Sequence, residues 1–188
     1  YYQNRYGDLR NGFGDDLKQY YMHFLQNGIY EGRQGSAVFD VFSYINRYAD
    51  LRRGFGNNLK AYYMHYVDAG EKEGRIATGC PTMQNAAVVY NGVNYSAVYN
   101  YEYYKTKYPD ISKGYGYDDQ AVLAHFVNHG MSEGRQGNTK FNVYSYRNQY
   151  SDLRQGYGNN LKLYYMHYVQ YGKSEGRKGT GCNTLQGT

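Results

Sequence analysis

The stretch NNLKAYYMHYVDAGEKEGR at 57–75 returns almost letter for letter as NNLKLYYMHYVQYGKSEGR at 159–177. Repetition on this scale constrains the fold more than any other feature, because a unit of about forty residues cannot bury a core alone and must be covered by its neighbours. The segment YGDLRNGFG at Tyr6 also returns as YADLRRGFG at Tyr48, YPDISKGYG at Tyr108 and YSDLRQGYG at Tyr150. Each copy is followed by His23, His65, His125 or His167, and then by Glu-Gly-Arg beginning at Glu31, Glu73, Glu133 or Glu175.

The copies are not evenly spaced. Asp8, Asp50, Asp110 and Asp152 lie 42, 60 and 42 residues apart, so the chain is a duplicated double repeat with a period of 102, which Cys80 and Cys182 obey as well. Repeats one and two fill 1–79, a linker 80–100, repeats three and four 101–182, and 183–188 reads as the start of a further linker. Repeat one lacks the lead-in seen as FDVFSY at Phe39 and FNVYSY at Phe141. Both ends read as cuts through a longer array, which predicts partly exposed terminal apolar faces and pairing or fraying there.

Within a repeat the periodicity predicts helix, turn, helix. Val143, Tyr146, Tyr150 and Leu153 share one helical face, Asn159 or Asn160 can cap the next helix, and Leu161, Tyr164, Tyr168 and Tyr171 share its apolar face up to Gly172. Pro109 suits a first helical position, so the first helix should stop at the preceding tyrosine and a separate short turn should begin there, with Asp8, Asp50, Asp110 or Asp152 near its positive end. The expected fold class is all-α, four helix-turn-helix repeats stacked as two duplicated pairs in an elongated or curved array. In the linker, β-branched and aromatic residues around Asn91-Gly92 admit a small β-hairpin.

Composition fixes what fills the core. With 28 Tyr, no Trp and 24 Gly, tyrosine must take the place usually held by leucine. The formal charge of +5 is spread along the chain, which argues against nucleic acid, and no apolar run is long enough for membrane insertion. Two cysteines are too few for a disulfide framework or a zinc site.

Each repeat carries one Asp, one His, one Glu and one Arg. A catalytic reading requires a nucleophile beside the His, and none accompanies the set in all four copies. A metal reading fares no better: His125 and His129 stand four apart, but the second position is Gln26, Asp68 or Gln170 elsewhere. The set instead reads as structural, the His bonding a backbone carbonyl or the preceding Asp, and the Glu closing the corner with Arg as a bidentate pair. The chain is therefore expected to be no enzyme, to carry no cofactor, and to work through the surface its scaffold displays. On that view, residues shared by repeats two and four alone are candidates for binding. They nominate Tyr63, Tyr165, Arg52, Arg154, Lys60 and Lys162 as a duplicated patch, with Tyr101, Tyr103 and Tyr104 second.

The run YNYEYYKTKYPDISKGYGYDDQAVLAHFVNHGMSEGR at 99–135 resembles the tandem helical repeats, ending in Glu-Gly-Arg, of large secreted or wall-attached proteins of gut Firmicutes. A looser version is similar to modules that accompany some bacterial glycosyltransferases. The resemblance covers nearly the whole chain and implies an extracellular, bacterial cell-surface, non-catalytic and multivalent role. Some surface proteins of this bacterial group bind immunoglobulin, so a host protein is one partner implied by association; a glycan of mucin or cell wall is the alternative, and a passive spacer stalk a third.

Overall fold

The structure, a computed structural model, describes residues 1–186. It is mostly helical, with one two-stranded sheet, and divides into two compact units, Tyr1–Asn85 and Ala86–Thr188. The division falls inside the expected linker, and each unit holds two repeats.

Every repeat opens with three short helices rather than two, and repeat one adds a fourth, Ile29–Glu31, after its third. In repeat two they are Val41–Arg47, Ala49–Phe55 and Leu59–His65, and in repeat four Val143–Gln149, Ser151–Tyr157 and Leu161–His167. Repeat three has Tyr101–Lys107, Pro109–Tyr115 and Asp119–His125, while repeat one has a shorter first helix, Tyr2–Arg5, then Gly7–Phe13 and Leu17–His23. The break expected at Pro109 occurs in all four copies, because Tyr6, Tyr48, Tyr108 and Tyr150 each adopt extended backbone, ending one helix and starting the next. Three of the four third helices have a side-chain cap: Asp16, Asn58 and Asp118 accept from backbone N–H groups of the first turn.

The third helix does not stop at its last glycine, contrary to the expectation for Gly172. After each His the backbone widens into a π-helical turn, Phe24–Gly28, Tyr66–Gly70, Phe126–Gly130 and Tyr168–Gly172. The helical path then runs on to the glycine of Glu-Gly-Arg, where Gly74 and Gly176 take the left-handed conformation with φ of 69° and 71°.

Tyrosine is the core residue in the way the composition requires. Tyr62 and Tyr164 are fully buried, and their hydroxyls donate to the carbonyls of Gly56 and Gly158 at 2.8 Å. Repeat three makes the same contact from the opposite helix. There Val122 fills the place of that tyrosine, and Tyr101, standing where the others have Val41 and Val143, reaches Gly116 at 3.1 Å. The linker hairpin is present: Val89–Tyr90 pairs antiparallel with Val93–Asn94 across Asn91 and Gly92, both with positive φ. Cys80 and Cys182 are free buried thiols, each donating to a threonine carbonyl two residues on, Thr82 and Thr184.

Candidate functional site

The recurring polar set forms one knot, built four times. The Arg that ends each Glu-Gly-Arg forks between two carboxylates. Arg33, Arg75, Arg135 and Arg177 reach Glu31, Glu73, Glu133 and Glu175 through Nε at 2.5–2.6 Å, and Asp8, Asp50, Asp110 and Asp152 at 2.7–2.9 Å. The same guanidinium lies 4.7–5.0 Å from the ring centre of Tyr6, Tyr48, Tyr108 or Tyr150. That tyrosine's hydroxyl accepts from the backbone N–H just after the Arg, at Gln34, Ile76, Gln136 or Lys178. The start of the second helix is thereby tied to the end of the repeat. The Asp favours the helix start as expected, and the arginine's hydrogen bond holds Asp8, Asp110 and Asp152 below the usual carboxylate range.

Contrary to the expectation from the sequence, the histidine joins neither the Asp nor a backbone carbonyl. Its Nδ1 lies 2.9–3.1 Å from a tyrosine hydroxyl 21 residues earlier, in the pairs Tyr2–His23, Tyr44–His65, Tyr104–His125 and Tyr146–His167. Burial pushes the Tyr2 phenol up to about 12 and raises Tyr44, Tyr104 and Tyr146 as well. These hydroxyls remain neutral at any ordinary pH. The turn that carries the His must pass close to the hydroxyl, and Gly28, Gly70, Gly130 and Gly172 allow it, since a β-carbon there would overlap the tyrosine oxygen.

Burial pushes the His125 and His167 imidazoles down, helped by Arg135 and Arg177. Both are held neutral in the fold, so protonation favours the unfolded chain. Their contribution to stability is whole above the ordinary imidazole value of 6.5 and is lost as pH falls through the lower folded value. The melting temperature of the second unit is expected to be lower at about pH 5 than at about pH 7.5. Calorimetry checks this, and a His125→Gln, His167→Gln variant should flatten the dependence.

All four groups of the knot are committed to one another or to the core. His125 and His129 lie with ring centres 5.4 Å apart and planes tilted by 39°, His129 being exposed. Among the described residues, no group of three His, Cys, Asp or Glu is placed to hold a metal ion, and no helix is long and apolar enough to cross a membrane.

The patch nominated from repeats two and four does not form a surface. Tyr63 and Tyr165 are buried because their hydroxyls donate to the Arg33 and Arg135 carbonyls, locking the second repeat of each unit onto the first. Arg52 is 1% exposed and donates to the carbonyls of Ile45, Asn46, Gln84 and Asn85; Arg154, half-buried, holds Arg147, Asn148 and Gln186 the same way. These arginines clamp the chain that leaves the repeat. Tyr101 and Tyr104 are core residues, for the reasons above, and Tyr103 is half-buried with its hydroxyl accepting from Lys107. Lys60 is exposed and Lys162 half-buried.

What remains of the nomination is one corner in each unit. In the first, Lys60 lies beside the exposed Tyr30, its Nζ 3.3 Å from the hydroxyl, next to where Phe42 and Leu59 close on Gly32. In the second, Lys162 follows Leu161, which with the exposed Tyr144 closes on Gly134. Tyr30 and Tyr144 are not repeated residues, since Ser132 and Phe42 stand at their places in the other unit. A further exposed stripe, Leu17, Tyr21 and Leu25, runs along the third helix of repeat one and onto its π turn. No protein-family model, curated protein or solved structure matches this chain.

Proposed function

We propose that the chain is a non-catalytic, multivalent binding module of a bacterial cell-surface protein, acting outside the cell on a host protein, with immunoglobulin or another glycoprotein as the partner class. The observation that carries this reading is the fourfold knot. Residues that could have done chemistry are spent holding each repeat together, while tyrosine and lysine stand at equivalent corners of the two units. Exposed tyrosine offers a large, rigid, amphipathic contact area, and two such corners on one chain give avidity without any new contact. A role for exposed tyrosines as stacking platforms for mucin or cell-wall glycans is the second reading, favoured by Tyr21 and Tyr30, which are 64% and 56% exposed.

An immunoglobulin pull-down run beside a glycan array separates the two. Capture of immunoglobulin, reduced when Tyr30→Ala with Lys60→Ala and Tyr144→Ala with Lys162→Ala are combined in a chain of unchanged melting temperature, is the expected result. Glycan binding alone replaces the first reading by the second, and silence in both assays leaves the spacer stalk.

A further inference from the structure

Four of the five histidines are spent in the tyrosine pairs, and the fifth, His129, stands against one of them. It lies in the π turn Phe126–Gly130, about one helical turn past His125 and on the exposed side. Repeat four has the same arrangement with a different ring. There Tyr171, rather than Gln170, takes the equivalent place, 5.8 Å from His167 between ring centres. Of the four repeats, the third sets two imidazoles together.

The hydrogen bonds of this pair leave ring nitrogens open. His125 uses Nδ1, 3.1 Å from the Tyr104 hydroxyl, while its Nε2 has no hydrogen-bond partner among the described residues and is not closed off from water. Neither nitrogen of His129 has such a partner either. Burial and the Arg135 charge push the His125 imidazole down, so the ring is neutral at pH 7 and presents a lone pair at Nε2 when Nδ1 donates to the Tyr104 oxygen. The knot beside it sets two carboxylates, Asp110 and Glu133, against the single guanidinium of Arg135, so the local charge suits a cation although the chain as a whole is basic. The spacing suits one as well. Imidazole nitrogens sit about 2.0–2.1 Å from a zinc-like ion, which puts each ring centre about 3.2 Å from it and two such centres about 4.5–5.2 Å apart. The observed 5.4 Å lies just outside that span, and the exposed His129 ring is free to turn and close it.

We propose that His125 and His129 form a two-imidazole site for one divalent transition-metal ion of the zinc, nickel and copper class, with water in the remaining positions. The ion bridges the end of the helix Asp119–His125 and the π turn that follows it, and the Tyr104 hydroxyl positions the His125 ring from behind. Two nitrogen ligands, with no cluster of carboxylates converging on them among the described residues, select these ions over calcium or magnesium, which need about six oxygen ligands. Repetition argues against a metal shared by all four repeats, and this site asks nothing of the other three. It is independent of the host-protein reading.

The test titrates Ni²⁺ calorimetrically into the full chain, made without a polyhistidine tag, in a non-chelating buffer at about pH 7.5, where imidazoles are largely neutral. Saturable binding of one ion per chain, with a Kd below about 100 µM, is expected. His129→Gln changes an exposed side chain, so it should leave the metal-free melting temperature unchanged and weaken binding at least about tenfold. Tyr171→His builds the same pair beside His167 and should add a second bound ion. Ca²⁺ at about 1 mM should displace no Ni²⁺. No saturable binding up to about 1 mM overturns the proposal. So does an affinity that survives His129→Gln, displacement of Ni²⁺ by Ca²⁺, or a Tyr171→His chain that gains no second ion. Both substituted side chains are exposed, so a failure to fold does not stand in for a failure to bind.

Discussion

Replacing Gly70 by alanine is expected to destabilise the first unit by about 1–3 kcal/mol, although alanine is the better helix former. The added β-carbon would overlap the Tyr44 hydroxyl and come within 3.3 Å of His65 Nδ1, so the hydroxyl–imidazole pair must separate or the π turn must shift. Gly54→Ala supplies the opposite sign. Gly54 lies inside the helix Ala49–Phe55, and a β-carbon there meets nothing within 4 Å, so the change should stabilise by about 0.5–1 kcal/mol through lower backbone entropy in the unfolded chain. For a unit of this size each kcal/mol moves the melting temperature by about 4–8 °C, so the two variants should move it in opposite directions. Calorimetry of the first unit's transition checks both.

Arg52→Met is expected to cost about 3 kcal/mol in the same unit. Methionine fills much of the volume, but the guanidinium hydrogens that serve the Ile45, Asn46, Gln84 and Asn85 carbonyls are gone, and two of those contacts are short, at 2.6 and 2.7 Å. A buried acceptor left without its donor forfeits its full desolvation cost. Arg154→Met should cost less, because Arg154 is only half-buried and water can replace part of what it supplies. Urea unfolding of the two variants, compared at equal denaturant slope, measures the difference. Equal losses would show that burial of the arginine is not what sets the cost.

Much of the fold could be read from the repeat. The tyrosine before Pro109 marks a break that all four copies share, and Asn91-Gly92 marks the hairpin. The partner of the histidine could not be read in the same way. Its tyrosine lies 21 residues away on another helix, and a chain with 28 tyrosines offers too many candidates at helical spacing. The candidate patch went wrong for a physical reason. Features shared by repeats two and four mark the second member of a pair, and a second member has a face that must pack on the first. Tyr63 and Tyr165 recur because they bond the preceding repeat's Arg33 and Arg135 carbonyls, and Arg52 and Arg154 recur because each must clamp the departing chain. A surface under no such packing constraint is free to vary between units, as Tyr30 and Tyr144 do.

The claim that the recurring residues are structural partners is tested most directly by a double-mutant cycle across the Tyr44–His65 pair. Tyr44→Phe removes only the hydroxyl, His65→Leu removes the imidazole, and the unfolding free energies of the two single variants and the double variant give their coupling. A half-buried hydrogen bond between a hydroxyl and an imidazole predicts a coupling of about 1 kcal/mol, repeated at Tyr146–His167 in the second unit. Losses that simply add, with a coupling below about 0.3 kcal/mol at both pairs, would contradict the account and return the repeated histidine to the list of groups in search of a function.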